Sequence, residues 1–346
     1  MTRAGIRNAL MAAALFGLSA PIAKILVVNL PPQLMAGLLY LGSGIGLTIL
    51  SAVRPPDARA ERGIQSADLP FLVPAIAFGG VVAPVLLMIG LQRTPASSAS
   101  LLLNLEAVFT ALIAWTFFRE NVNSRIAAGL LAIVAGGVVL SWNGSFAVTD
   151  YSGPLAVCAA CLCWAIDNNF TQRISLADPV RIASIKGITA GSINFALALS
   201  LGQRRYEPAV WAAMALGFIS YGLSLVFYIR ALRELGTARA GNYFSVAPFV
   251  GAIAAVILLR EPVTFGLSEA GLLMGIGVWL HVTETHEHRH IHEPMTHEHK
   301  HVHDEHHQHD HSPDDPAGEP HSHAHRHELL EHSHPHYPDI HHRHPH

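Results

Sequence analysis

Ten apolar stretches follow one another between residues 8 and 282, with short charged or Pro-rich breaks between them. Each is roughly 18–22 residues long, the length a helix needs to cross the hydrocarbon of a bilayer. In lipid, backbone N–H and C=O groups must be satisfied within the chain, and a helix does this segment by segment. The spans predicted this way are approximately 8–28, 33–53, 70–90, 96–118, 125–142, 154–172, 181–201, 209–229, 238–259 and 265–282. The first could pass for a signal peptide, since Arg3 and Arg7 precede it, but nine more follow, so it reads as a retained span. The expected fold is all-α and integral to the membrane.

Polarity divides the chain sharply. All 24 histidines lie between His281 and His346. Residues 1–280 hold 18 Lys and Arg against 12 Asp and Glu, a net of +6, whereas residues 281–346 hold 4 against 13, a net of −9. No basic stripe suggests nucleic acid. Cys158, Cys161 and Cys163 sit together inside an apolar run and do not form a secreted disulfide framework. As small apolar fillers of one helix they need no metal, although a soft-metal site could use the same residues. The expected partners are lipid and a small-molecule or ion substrate, and a homodimer is compatible with the sequence.

Loop charges set an orientation. With the N-terminus in the cytoplasm, inward segments carry twelve arginines, among them Arg54, Arg119, Arg173 and Arg239, against four outward, Arg93, Arg204, Arg205 and Arg260. Ten spans then return the C-terminus to the cytoplasm. The expected location is a bacterial inner membrane.

The body repeats itself at an offset of 141 residues. Arg119-Glu120 lands on Arg260-Glu261, Ala99 on Ala240, Ala111 on Ala252, Val122 on Val263 and Gly136 on Gly277. Five spans per repeat is odd, so the halves must insert in opposite senses, the inverted arrangement that lets a transporter open alternately to each side. The organisation predicted is residues 1–145 and 146–283 as five-helix repeats and 284–346 as a polar tail.

Three segments carry a resemblance to the drug/metabolite transporter superfamily, EamA type. Ser98–Glu120 (SASLLLNLEAVFTALIAWTFFRE) is similar to that family's fourth helix, which commonly ends in Glu after an apolar run. Leu162–Arg173 (LCWAIDNNFTQR) falls at the sixth helix, and Gly241–Glu261 is the second-repeat counterpart of the first segment. The resemblance covers essentially all of residues 5–282. The chain departs from the pattern at Ala107, where the family often has Pro, while Pro248 keeps it in the second repeat. The resemblance implies secondary transport of small metabolites, often outward, with no bound cofactor and no enzymatic chemistry. It says nothing of the tail.

Ionisable groups in mid-membrane are costly and so mark function by default. Glu106 lies near the middle of the fourth span, with Asn104 two residues before it. A carboxyl there can take up and release a proton as its exposure alternates. Asp167, Asn168 and Asn169 form a polar step in the sixth span, and Lys186 sits at similar depth in the seventh. Asp167 and Lys186 are expected to pair, as part of the substrate path or as a staple between helices. Pro21 is expected to break the first span. Lys24, one turn later, is expected to reach the headgroups. The small-residue spacings Gly42–Gly46, Gly187–Gly191 and Gly271–Gly275 predict close helix contacts. Glu120 and Glu261 end helices and read as solvated charges.

The tail alternates His with other residues: His286, His288, His290 and His292; His297, His299, His301 and His303; His321, His323, His325 and His327. In an extended chain, residues i and i+2 project to one side, so two imidazoles can meet one ion. Neutral imidazole suits Zn, Ni or Co, and no other cofactor is implied. Frequent proline and scarce apolar content predict no regular structure without metal. The leading functional expectation is an ion-gradient-coupled exporter of a small polar metabolite with a metal-binding cytoplasmic tail. A Ni, Co or Zn transporter fed by the tail is the second, and a membrane-anchored metal buffer or sensor the third.

Overall fold

The computed structural model describes residues 3–53, 63–118, 124–141, 151–174, 177–203, 208–235, 243–283, 286–292, 296–301, 321–326 and 330–336. Arg54, Arg119, Glu120, Arg204, Arg205, Arg239, His303 and His327 lie outside them.

Among the described residues, seven helices are long and apolar enough to cross a bilayer: Ala4–Leu26, Pro32–Ala52, Ser66–Arg93, Ala96–Phe117, Ser124–Ser141, Val180–Ser200 and Pro208–Tyr228. Ser152–Arg173, Ala247–Leu259 and Phe265–Val282 complete the set. Taken in chain order, with Ser152–Arg173 sixth, these are the first to tenth crossings. Large apolar side chains such as Phe117, Leu131, Trp211 and Phe265 remain exposed on the bundle. Lipid covers such a surface, whereas a soluble fold would bury it.

The packing carries the inverted repeat. The second crossing lies along the seventh, the fourth along the ninth and the fifth along the tenth, while the first packs on the eighth as the sixth packs on the third. An axis that exchanges each crossing with the one five places later generates this whole set. Small residues permit the closest approaches. A Cβ on Gly44 would fall 2.4 Å from the Ile188 backbone N, and one on Gly191 2.5 Å from that of Leu41. The predicted contacts at Gly42 and Gly187 hold as well. Gly271 and Gly275 differ, because added Cβ atoms there would meet only Leu101 at 3.8 Å and Phe249 at 4.0 Å. The tight contact of the tenth crossing is made by Gly277 instead, whose Cβ would lie 2.6 Å from the Gly129 carbonyl oxygen. The reason is rotational: residues 271 and 275 share a helix face, and 277 lies on another.

Among the described residues, five crossings depart from regular α-helix. The third and eighth each contain a π-helical stretch, Ile76–Val82 and Gly217–Leu223, offset by the 141 residues of the sequence repeat. The fourth is interrupted at Leu103–Asn104 and the ninth at Ser245–Val246. The first breaks at Leu18 rather than at Pro21 itself. Proline has no N–H, and its ring clashes with the carbonyl four residues earlier, that of Gly17, which puts the break one turn upstream.

The tail is a separate unit, Thr285–His346. Composition predicts no regular structure there, yet the described segments form paired strands: β1 (His286–His292), β2 (Thr296–His301), β3 (His321–Arg326) and β4 (Leu330–His336). β1 pairs antiparallel with β4, and β2 with β3. The register sets His288 opposite His334 and His299 opposite His323.

Candidate functional site

The polar residues of the fourth, sixth and seventh crossings form two adjoining groups near mid-bundle. In the first, the Asn168 side-chain amide donates to the Glu106 carboxylate at 2.7 Å. Glu106 is half-buried and Asn168 exposed. Glu106 lies in the first turn of the helix that restarts after the break at Leu103–Asn104, where the helix dipole favours a negative charge.

In the second group, Lys186 Nζ lies 2.5 Å from Asp167 Oδ1, making the predicted pair. The Thr171 hydroxyl donates to the same oxygen at 2.7 Å, and Lys186 also reaches that hydroxyl at 3.3 Å. Asp167 is 6 % exposed. Neither charge of such a pair is tolerable alone in this setting, so the two hold each other in place. Both Asp167 and Lys186 are close enough to Glu106 to act on it electrostatically.

Gly79, which the sequence reading passed over, makes this possible. It lies in the π stretch of the third crossing, and a Cβ there would fall 1.9 Å from Asp167 Oδ2. Its carbonyl accepts from the Tyr40 hydroxyl at 2.8 Å and from Trp164 Nε1 at 3.0 Å. Asn194 donates to the Gly80 and Val81 carbonyls at 3.3 and 3.1 Å. Pro84, lacking an N–H, leaves the Gly80 carbonyl without its usual helical partner. The signal in the sequence was a Gly-Gly step followed by proline in an otherwise apolar helix.

A row of aromatic rings runs through the first, second, eighth and ninth crossings. Tyr40 stands 5.8 Å from Tyr221, Tyr221 5.6 Å from Phe16, Phe16 5.6 Å from Phe244, and Phe244 4.9 Å from Tyr228. All five are partly exposed. The row meets the charged group at Tyr40, whose hydroxyl donates to the carbonyl of Gly79, the glycine that packs on Asp167.

Three expected site residues point elsewhere. Asn104 is buried and donates to the Leu101 carbonyl at 3.0 Å, with Met274 Sδ 3.8 Å away. Residues two apart on a helix do not share a face, so its nearness to Glu106 in sequence misleads. Asn169 is likewise buried and donates to the Ala165 and Thr110 carbonyls. Lys24 is held by the protein itself. Its ammonium caps the end of the third crossing, donating to the Leu91 and Thr94 carbonyls. The cysteines are free, and Cys161 is buried with Sγ 3.6 Å from the Leu102 carbonyl oxygen. Among the described residues no group of three His, Cys, Asp or Glu could hold a metal ion.

Glu261 departs from the solvated charge expected of it. Its two carboxylate oxygens accept from the backbone N–H groups of Ala96 and Ser97 at 2.7 and 2.8 Å, capping the fourth crossing from the other repeat.

Paired crossings, matched helix distortions and a buried charge cluster in a lipid-facing bundle define a multi-pass membrane transporter. The chain belongs to the EamA-like transporter family, whose profile matches residues 3–142 and again 151–283. It is 29% identical over 293 residues to a transporter of Methanothermobacter thermautotrophicus, covering 80% of this chain and 85% of that one. It is 26% identical over 296 residues to a probable amino-acid metabolite efflux pump of Salmonella typhimurium, covering 79% and 93%. A solved crystal structure shares the fold at a TM-score of 0.58 and 19% identity, covering 81% of this chain and 96% of the other.

Proposed function

We propose that this transporter exports a small polar metabolite bearing an ammonium group across a bacterial inner membrane, with both chain ends in the cytoplasm. Protonation of Glu106 couples export to the proton gradient. The observation that carries the reading is the half-buried Glu106 carboxylate, held by Asn168 and bordered by the Asp167–Lys186 pair and a row of aromatic rings. A substrate ammonium and a proton compete for the same carboxylate, so loading one releases the other. The rings accept the apolar part of the substrate and the flank of its cation. Amino-acid metabolites fit this description, and the Salmonella relative supports that class.

The test is flux of labelled amino acids into inside-out vesicles under an imposed pH gradient. Glu106→Gln removes both the proton site and the partner of the substrate ammonium, so it should abolish gradient-driven accumulation and weaken exchange at zero gradient as well. Unchanged accumulation would remove Glu106 from coupling.

The tail, on the same proposal, binds divalent Zn, Ni or Co through its histidines and serves the body as a cytosolic store or modulator. Truncation after Glu284 should then remove metal binding while amino-acid flux persists. Altered cellular Ni, Co or Zn on deletion of the whole protein, but not of the tail, would point instead to metal as cargo.

A further inference from the structure

We propose that Lys24 and Glu261 form a latch that closes one end of the bundle, and that its release opens that end during each transport cycle. The inference rests on the transporter reading and adds a gate to it. Two ionisable side chains converge on a single short turn, the one joining the third and fourth crossings. Lys24, from the first crossing, holds the carbonyls of Leu91 and Thr94 on one side of the turn. Glu261, from the connection between the ninth and tenth crossings, holds the N–H groups of Ala96 and Ser97 on the other. Each side chain complements the partial charge of the helix end it meets, and Glu261 also acts electrostatically on Lys24.

The Glu261 contact joins the second repeat to the first. When inverted repeats rock about a shared site, a cross-repeat contact at one end must break before that end can open. Several features oppose the closure. Thr94 Oγ1 and Ser100 Oγ, close to the seam, are buried without a hydrogen-bond partner, and entering water would satisfy both. Arg260, the residue that presents Glu261, adopts the left-handed conformation with φ 54, which side chains other than Gly, Asn or Asp rarely take. Strong charge-assisted bonds hold the seam shut while orphaned polar groups and backbone strain push against it. That balance is what a reversible gate requires.

The experiment uses the full chain in membrane vesicles, with Cys158, Cys161 and Cys163 replaced by Ser and a reporter Ala20→Cys. Ala20 is buried one turn inside Lys24 and on the same helix face. Labelling by a membrane-impermeant maleimide is measured in right-side-out and in inside-out vesicles. Glu261→Gln and Lys24→Met should each raise the labelling rate on the order of tenfold in right-side-out vesicles, and Glu261→Asp and Lys24→Arg should restore it. Ala96→Pro guards against misfolding of the charge variants. It deletes an N–H that Glu261 accepts from, at a first helical position where proline is tolerated, and should raise labelling too. A rise confined to inside-out vesicles would uphold the latch and reverse the assigned orientation. Unchanged labelling in every variant, from both sides, would overturn the latch and leave Glu106 coupling untouched.

Discussion

The third and eighth crossings share one backbone and carry different chemistry. Both widen into a π-helix at equivalent positions, yet Gly79-Gly80 in the third is Ser220-Tyr221 in the eighth. In the third, the missing Cβ admits Asp167, and the freed carbonyls are taken by Tyr40, Trp164 and Asn194. In the eighth, Tyr221 enters the aromatic row. The fourth and ninth crossings differ in the same way, since Glu106 matches Ala247 across the repeat. Symmetry therefore belongs to the scaffold, whereas the polar groups are placed once.

The largest effect should fall on the ion pair that Gly79 accommodates. Lys186→Met alone leaves Asp167 buried without its cation and should cost about 3–5 kcal/mol, while Asp167→Asn with Lys186→Met should come close to neutral. Thermal unfolding in detergent reads both, and equal losses would mean the pair is not the unit described. Next comes Gly79→Ala, whose methyl collides with Asp167 and should cost about 1–3 kcal/mol and most of the flux. Its mirror, Ser220→Ala, should stay within about 1 kcal/mol. Equal sensitivity at the two positions would erase the distinction between the crossings. The smallest effect concerns the tenth crossing. Gly271→Ala should be neutral or stabilise by up to about 1 kcal/mol through helix propensity, whereas Gly277→Ala should destabilise against the Gly129 carbonyl.

The crossings were legible in the sequence because bilayer thickness fixes their length, and the predicted edges fall within a few residues for most of them. The repeat offset was legible too, and it applies to the π stretches, which no residue pattern announced. Asp167 with Lys186 could be paired by depth alone. Partners set by rotation about a helix axis could not be read: Asn104 turned from Glu106, Asn169 from Asn168, and Gly271 from the tight seam. Long-range caps were equally hidden, because Glu261 finds Ala96 and Ser97 across 165 and 164 residues of chain. Hydropathy describes an environment, and a cap depends on where two helix ends meet.

A π turn inserts a residue without completing a further turn, so the azimuth of everything beyond it slips by about 100°. Along the third and eighth crossings, a mutational scan analysed with one 3.6-residue period would exchange lipid-facing and interior positions on either side of the slip. Tolerance profiles there will fit two periodicities of different phase, changing between residues 76 and 82 and again between 217 and 223.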